Sequence, residues 1–368
     1  MLAGTTQKVR RLRRLITIWL VIPVGSEGPL HFADIEITAS FVVCSTAAHK
    51  MVNSAMGTQT VPSKTTAMDT ATTVLLRDLV DYAGLFPPAS LSMPKSVAKY
   101  DRYLHSEWSW ILGRLILPVA RLTEFERAFA ALPTRALEKG LQNWRLSALL
   151  GSEVEADIDR INEFNARAAF KKAVKRAVVE SVEVKVANAA DIKRLAAVIP
   201  FELATYLEIP LSASEECIAA AADSGRRAKI RTGGETADKF PAPESVIEFV
   251  LQCAAFNVPF KATAGLHHPL RSVRRFTYQP ESASGMMHGF INVFLAAAFL
   301  RAGMAANLAV QLLEEQSPQA FRFTSEVVSW REHKLTRVEI AATRQSAVSF
   351  GSCSFTEPVD DLKSLHLL

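Results

Sequence analysis

Two short segments of this chain place lysines among apolar residues. One reads AKIRTGG and contains Lys229 and Arg231; the other reads FKATAG and contains Lys261 and Thr263. The alternation of polar and apolar residues predicts a β-strand in each segment, with its two polar residues on one face. Burying a lysine costs free energy unless its amine is paired or used. The two segments therefore predict a catalytic site.

The chemistry that this pair predicts is imine formation. A lysine amine is a nucleophile only after it loses a proton, and its ordinary pKa is about 10.4. Burial and a second cation nearby both lower that pKa. Lys229 and Lys261 on neighbouring strands, with Arg231 close by, would supply this repulsion. The product would be a Schiff base with a carbonyl substrate, whose iminium accepts electrons while a carbon–carbon bond breaks or forms.

The elements that must position these residues follow from the rest of the chain. From about residue 74, short apolar runs alternate with amphipathic stretches, which is typical of βα units on a parallel sheet. Eight runs are predicted strands: Leu79–Phe86, Gly113–Leu122, Trp144–Leu150, Ser181–Val186, Leu203–Ile209, Ala228–Thr232, Pro259–Ala264 and Ala347–Phe355. Eight such units over roughly 300 residues predict an α/β fold, a (β/α)8 TIM barrel. An open doubly wound sheet is the alternative, but the dinucleotide turn G-x-G-x-x-G is missing after the first strand.

The connection between the seventh and eighth predicted strands, residues 266–346, is far longer than one helix requires. We expect a helical insertion there, with helices near 285–301, 304–315 and 325–344. It would cover the active face or form an oligomer contact. Capping boxes predict helix starts at Thr123 with Glu126 and at Ser212 with Glu215, and Asn188 with Asp191 is a looser version.

Four consecutive predicted strands carry polar residues at alternate positions. If the apolar residues face the helices, the polar ones face the barrel axis. This interior face comprises Glu183, Lys185, Tyr206, Glu208, Lys229, Arg231, Lys261 and Thr263. We expect them to converge at the carboxyl ends of the strands, where the active sites of such barrels lie, and Glu183 or Glu208 to move protons. The alternative is a structural network of ion pairs between the two glutamates and the two lysines.

Three motifs of the chain resemble those of deoxyribose-phosphate aldolase and its relatives, which are class I aldolases on a (β/α)8 barrel. The chain reads KIRTG from Lys229, KATAG from Lys261 and GSCS from Gly351. The aldolases carry K-x-x-T-G in strand six, a form of K-A-S-G-G in strand seven and a form of G-[AT]-S-S in strand eight. The resemblance implies that Lys229 forms the Schiff base, that Lys261 lowers the pKa of Lys229, and that Glu183 is the acidic residue of strand four.

The resemblance also implies a phosphate pocket built from Gly265, Gly351 and Ser352. We expect further substrate contacts from residues in or beside these motifs and on the interior face: Lys185, Tyr206, Arg231, Thr232, Gly233, Thr263, His267 and His268. The chain departs from the family after Gly265, where LHHP stands in place of an arginine. The two histidines either cap the end of strand seven, with one ring packed and one exposed, or supply a general acid or base. Joint metal binding is not expected, because adjacent side chains in an extended segment point apart.

Charge and cysteine usage exclude other classes of protein. Residues 1–68 hold 7 Lys and Arg against 3 Asp and Glu, which leaves 35 basic and 34 acidic residues of the totals of 42 and 37. The body of the chain is therefore nearly neutral, and no basic face predicts nucleic-acid binding. The four cysteines are scattered without metal-ligand spacing, which favours free thiols in the cytoplasm. Among them, Cys353 is expected to be a buried thiol rather than a nucleophile.

The N-terminal segment differs in composition from the rest. Four arginines between positions 10 and 14 precede the apolar run Leu15–Val24, which resembles the start of a signal peptide and is too short to span a bilayer. We expect residues 1–68 to be a disordered extension outside the fold, with Met68 as the true start, and residues 69–368 to form the barrel. Export is the alternative.

Together these observations predict a lysine-dependent class I aldolase or lyase. Its substrate would be a small, anionic or phosphorylated carbonyl compound, and no metal or organic cofactor is implied. We expect neither a nucleic-acid nor a membrane partner, and a homo-oligomer is compatible with the insertion. The alternatives are a sugar-phosphate isomerase or epimerase that uses Glu208 as its base, and a non-catalytic barrel that binds a metabolite.

Overall fold

Eight parallel strands of the protein close into a barrel. The computed structural model describes residues 69–133, 143–170 and 176–368, and for residues 143 and 168–170 it describes the backbone alone. The barrel strands are β1 (Val80–Tyr82), β2 (Leu112–Pro118), β3 (Asn143–Leu149), β4 (Arg176–Lys185), β5 (Ala204–Glu208), β6 (Arg227–Arg231), β7 (Phe260–Thr263) and β13 (Ala347–Ser352). Each strand pairs with the next along the chain, and β13 closes the circle against β1. The prediction of a (β/α)8 barrel is confirmed, and each predicted strand overlaps an observed one.

Helices connect and surround these strands. They are α1 (Ala71–Leu76), α2 (Met93–Leu104), α3 (Leu122–Ala130), α4 (Val154–Phe170), α5 (Ala189–Val198), α6 (Ser214–Asp223), α7 (Pro243–Ala255) and the last helix, α11 (Thr356–Ser364). The helix start at Asn188 is confirmed, since its side chain accepts a hydrogen bond from the Asp191 amide. The predictions of capping boxes at Thr123 and Ser212 are wrong. A 3₁₀ turn precedes both helices, so that Arg121 and Ala213 occupy the capping positions.

The long connection between β7 and β13 mixes helices with two small antiparallel sheets. It contains β8 (Ser272–Arg275), β9 (Ser284–Met287), α8 (Phe290–Arg301), α9 (Ala306–Glu314), β10 (Phe321–Phe323), β11 (Val327–Trp330), β12 (His333–Thr336) and α10 (Arg337–Arg344). Strands β8 and β9 form a hairpin, and β10–β12 form a three-stranded sheet. The second predicted helix is confirmed as α9. The first begins at Phe290 rather than near 285, because residues 284–287 pair with β8.

The third predicted helix, 325–344, is wrong over its first half. Val328 and Trp330 are fully buried and alternate along β11, and a turn with Arg331 in the left-handed region (φ 52°) returns the chain into β12. Only residues 337–344 are helical. Their start is a capping box in which Thr336 and Glu339 exchange hydrogen bonds.

Helix α8 shows why the insertion belongs to the fold. All of its residues except Arg301 are buried, and the Phe290 ring stacks on Phe350 of β13 with centroids 4.9 Å apart. The helix therefore packs inside a layer of neighbouring helices against the barrel wall. Among the described residues, none of the helices has both the length and the apolar character needed to cross a membrane. The predicted N-terminal extension, residues 1–68, lies outside the described residues.

Candidate active site

The two lysines that the sequence singles out lie side by side inside the barrel. Lys229 on β6 and Lys261 on β7 are direct partners in the parallel register. Lys229 is 4% exposed and Lys261 is fully buried, so both side chains point inward, as the alternation predicts. The apolar neighbours Ile230 and Ala262 are buried on the opposite face of the same strands.

A single carboxylate joins the two amines. Glu183 on β4 places its Oε2 2.8 Å from Lys229 Nζ and its Oε1 2.7 Å from Lys261 Nζ. Lys261 Nζ also lies 2.6 Å from Asp81 Oδ2, and Lys229 Nζ lies 2.8 Å from Glu208 Oε2. Asp81, Lys261, Glu183, Lys229 and Glu208 thus form a row of alternating charges across the barrel, which we call the ion chain.

Further hydrogen bonds support the two most buried carboxylates. Ser147 Oγ donates to Glu183 Oε1 at 2.8 Å, and Ser349 Oγ donates to Asp81 Oδ2 at 2.8 Å. The backbone amide of Arg114 donates to the second Asp81 oxygen at 2.7 Å. Buried carboxylates need such partners to remain charged.

Asp81 is the one member of the ion chain that is not among the predicted site residues. Its place at the end of the first predicted strand indicates a residue that lines the pocket or shapes the turn, whereas the structure makes it a buried partner of Lys261. Asp81 lies in the shortest barrel strand, only three residues long, and all three are buried. The inward and outward faces of so short a strand cannot be told apart from alternation. The available signal was the acidic residue itself, placed inside an apolar run where burial demands a partner.

The ion chain fixes the charge states of its members. Burial alone would raise the pKa of Glu183, but the charges and hydrogen bonds of Lys229 and Lys261 hold it well below its usual range. Burial alone would lower the pKa of Lys261, but Asp81 and Glu183 raise it above its usual value. The expectation of two amines that discharge each other therefore fails for Lys261, because its two carboxylate partners outweigh the neighbouring cation.

Above the ion chain lies a pocket of about 740 Å³ at the carboxyl ends of the strands, which we call the main pocket. Nine of the predicted site residues line it: Glu183, Lys185, Glu208, Lys229, Arg231, Thr263, Gly265, His267 and Gly351. Lys229 and Glu208 therefore reach the space where a ligand would bind. Lys261 lies beneath the floor and is shielded from it.

Six predicted site residues do not line the main pocket. They are Lys261, Tyr206, Thr232, Gly233, His268 and Ser352. The Tyr206 ring lies below the ion chain, with its centroid 5.1 Å from Lys261 Nζ, and its hydroxyl accepts a hydrogen bond from Arg227. Thr232 is fully buried, and its hydroxyl donates to the carbonyl of Ala264 at 2.7 Å, which ties the ends of β6 and β7 together.

The glycines at the ends of β6 and β7 have a steric role. The chain leaves β7 through two left-handed residues, Ala264 (φ 62°) and Gly265 (φ 72°). A Cβ added to Gly265 would lie 2.8 Å from the Cα of Gly233, so the two turns approach too closely for side chains. Of the expected phosphate cradle, Gly265 and Gly351 line the main pocket, whereas Ser352 is buried beside His267.

One wall of the main pocket carries cations. Lys185, Arg231 and Lys239 line it, and Arg231 is 3.6 Å from Glu208 Oε1 at the end of the ion chain. Lys239 follows β6 in the connection to α7, and the sequence prediction missed it because it lies outside any strand. These side chains are exposed, so an anionic ligand can reach them without displacing a buried partner.

A cluster around His267 also lines the main pocket. His267 Nδ1 lies 3.2 Å from Glu357 Oε2 and 4.0 Å from Cys353 Sγ, and the Tyr278 hydroxyl donates to the same Glu357 oxygen at 3.0 Å. Burial would lower the pKa of His267, but its contacts with Cys353 and Glu357 raise it to about 9. His267 is therefore a cation at neutral pH. His268 turns away to Asp361, with Nδ1 2.6 Å from its carboxylate.

We found no protein-family model that matches this chain and no curated protein that is similar to it. Among the described residues, no three or more His, Cys, Asp and Glu side chains are grouped so that they could hold a metal ion. The main pocket thus offers an amine flanked by carboxylates, a wall of exposed cations and a protonated histidine. These groups suit a ligand that carries negative charge and a carbonyl.

Proposed function

We propose that the protein is a lysine-dependent class I aldolase or lyase that acts on a small anionic carbonyl compound. Lys229 would form the Schiff base. The observation that supports this role is its position: Lys229 is the lysine of the ion chain that lines the main pocket, with a carboxylate 2.8 Å from its amine on either side.

The electrostatics of the ion chain suit an iminium at the Lys229 position. Glu183 and Glu208 place negative charge on two sides of Lys229 Nζ, each at 2.8 Å. The protonated Schiff base carries its positive charge at the same nitrogen. The two carboxylates therefore stabilise the iminium by electrostatic attraction inside the barrel.

Glu208 is placed to receive the Lys229 proton. Its Oε2 lies 2.8 Å from the amine, and it lines the main pocket, unlike the deeper Lys261. The amine would then attack the carbonyl carbon and form a C–N bond. Loss of water from the resulting carbinolamine needs a proton donor, and protonated His267 is the candidate. When the C–C bond breaks, its electron pair would move to the iminium nitrogen to form an enamine, and the β-hydroxyl of the substrate would give its proton to the now neutral His267. The enamine carbon would take the proton held by Glu208, and hydrolysis of the imine would free Lys229.

Lys261 would act as a fixed cation rather than a second nucleophile. It has no access to the main pocket, and Asp81 and Glu183 raise its pKa. Its charge balances one of the carboxylates that hold Lys229. Lys261 is therefore a positioning residue: it keeps Glu183 charged and oriented toward Lys229.

A second candidate function follows from the same cations. In a sugar-phosphate isomerase or epimerase, Glu208 would remove a proton from carbon, and Lys229 would remain an ammonium that stabilises the enediolate oxygen. The exposed cations of the main pocket, Lys185, Arg231 and Lys239, suit the phosphate of such a substrate. Against this role, Lys229 and Arg231 hold the pKa of Glu208 below its usual range despite burial, which makes it a weak base. A carbon-bound proton is much harder to remove than an ammonium proton, so this weakness counts more heavily against the isomerase than against imine formation.

Borohydride trapping separates the two. The full chain is incubated with acetaldehyde, glyceraldehyde, pyruvate or dihydroxyacetone phosphate, reduced, digested and mapped by mass spectrometry. We expect an adduct on Lys229 that disappears in Lys229→Arg and persists in Lys334→Arg, a control at an exposed lysine of β12. Adducts spread equally over exposed lysines, or no adduct together with isomerase turnover that Glu208→Gln abolishes, would rule out the Schiff base.

A further inference from the structure

A second cavity adjoins the main pocket beneath the β8–β9 hairpin. It has a volume of about 280 Å³, and we call it the side cavity. The two cavities share four lining residues, Pro88, His267, Phe276 and Met287. His267 therefore lies at the junction, with the ion chain on one side and the hairpin on the other.

The hairpin brings two arginines to the side cavity. Arg274 and Arg275 line it, and both are exposed. Arg274 Nε donates to Ser272 Oγ at 3.1 Å, but neither guanidinium has a carboxylate partner among the residues that the structure describes. Both guanidinium groups are therefore available to an anionic ligand at the wall of the side cavity.

The other groups around the side cavity leave it positively charged. Its one carboxylate is Glu357, which already contacts His267 and Tyr278. Glu357 and the His267 cation offset each other, so the charge of Arg274 and Arg275 remains. Arg274 also affects His268. Burial and the charge of Arg274 lower the pKa of His268, although its ring contacts Asp361.

Thr277 and Tyr278 also line the side cavity beside the two arginines. The Tyr278 hydroxyl already donates to Glu357, which leaves the two guanidinium groups as the main donors to a ligand. Guanidinium groups are common protein donors to carboxylate and phosphate oxygens. The apolar part of the lining, Phe276 and Met287, lies at the junction with the main pocket and suits a hydrocarbon linker.

We propose that the side cavity binds an anionic group, a carboxylate or a phosphate, at the far end of a ligand whose other end lies in the main pocket. Such a ligand carries negative charge at both ends: one end meets Lys185, Arg231 and Lys239, and the other meets Arg274 and Arg275. This inference concerns binding alone and does not depend on imine formation at Lys229.

Unbranched dicarboxylates test the proposal, since they carry two anionic ends and no carbonyl that could form an imine. Affinities of the full chain for malonate, glutarate, pimelate and azelate are measured by isothermal titration calorimetry at low ionic strength. Acetate and inorganic phosphate serve as ligands with a single anionic group. We expect affinity to rise with chain length, and the best diacid to bind at least tenfold more tightly than acetate or phosphate.

The double variant Arg274→Ala/Arg275→Ala should lose this length preference while keeping its thermal unfolding midpoint, since both side chains are exposed. The matched control is Arg322→Ala, an exposed arginine of β10 away from both cavities, which should bind every diacid as the wild type does. Equal affinity for all diacids in the wild type would overturn the proposal. So would a length preference that survives in the double variant, or phosphate binding as tight as that of the best diacid.

Discussion

At the scale of single residues, charge on a buried side chain depends on all of its neighbours. The prediction that Lys229 and Lys261 face each other holds, because alternation along two strands fixes which way side chains point. The expected repulsion does not determine the charge of Lys261, because Asp81 on β1 contacts its amine, with only β13 between the two strands. Asp81 is 180 residues away in the chain, and no local pattern records such a contact.

His267 provides a test of charge at this scale. Its pKa rises from an unfolded value of about 6.5 to about 9 in the folded chain. The folded state therefore binds the His267 proton more tightly than the unfolded state does. The contribution of His267 to the free energy of unfolding is complete below about pH 6.5 and is lost as the pH rises through about 9. The expected loss is on the order of 3 kcal/mol, since each pKa unit corresponds to about 1.4 kcal/mol.

Urea unfolding at pH 6 and pH 9.5 measures this loss. The wild type should lose stability between the two values, and His267→Gln should lose much less. His366→Asn, which replaces an exposed histidine far from Glu357, should behave as the wild type. A wild-type stability that stays constant over this range would contradict the assignment of a charged His267.

At the scale of elements, strands and their order were predictable, whereas the insertion was only partly so. Each barrel strand is a short apolar run between turn residues, and the barrel repeats this unit eight times. The insertion between β7 and β13 does not follow this repeating pattern. Its β11 and β12 have the alternation and the β-branched residues of strands, but the length of the stretch 325–344 favoured a helix.

The start of α10 gives a prediction at this scale. Thr336→Ala removes the hydroxyl that accepts from the Glu339 amide and should destabilise the protein by about 1 kcal/mol. Val338→Ala, on the same helix with a side chain that is 74% exposed, is the control and should change stability much less. Thermal unfolding of the two variants measures the difference, and equal midpoints would show that the capping box is unimportant.

The turn after β7 gives a second prediction at this scale. Gly265→Ala should cost at least about 2 kcal/mol, because the new methyl group meets the Gly233 backbone and the Phe240 ring at a left-handed position. Gly303→Ala is the matched control: its φ is also positive, at 93°, but a Cβ there would meet nothing within 4 Å. It should cost only the backbone strain, about 1 to 2 kcal/mol. Equal losses of stability would show that steric contact between the two turns does not matter.

At the scale of the whole molecule, the ion chain links strands that are distant in the sequence. Asp81 belongs to β1, Glu183 to β4, Glu208 to β5, and the two lysines to β6 and β7. With Arg231 at its end, the row has three negative and three positive charges, so it is neutral as a unit. Charges buried this deeply are tolerated only as a balanced set. The free energy of unfolding should therefore depend more on the net charge of this row than on the presence of any single residue in it.

Removing one charge and then its partner tests this balance. Lys261→Met leaves Asp81 and Glu183 buried without their shared cation and should destabilise the protein by about 3 to 5 kcal/mol. Adding Asp81→Asn restores neutrality and should recover a large part of that loss. The single variant should also become more stable as the pH falls toward 5, because a carboxylate that has lost its cation takes up a proton more readily in the folded chain than in the unfolded one.

Urea titrations of the wild type, Lys261→Met, Asp81→Asn and the double variant complete a mutant cycle for this pair. A favourable interaction free energy of at least about 1 kcal/mol is expected for groups in direct contact, since the two atoms lie 2.6 Å apart. The matched surface pair is Arg77 with Asp69, at 2.7 Å but nearly half exposed, where the same cycle should yield well under 1 kcal/mol. If the buried pair gave no more than the surface pair, the barrel interior would not depend on a balanced row of charges, and the positioning role of Lys261 beneath the main pocket would lose its basis.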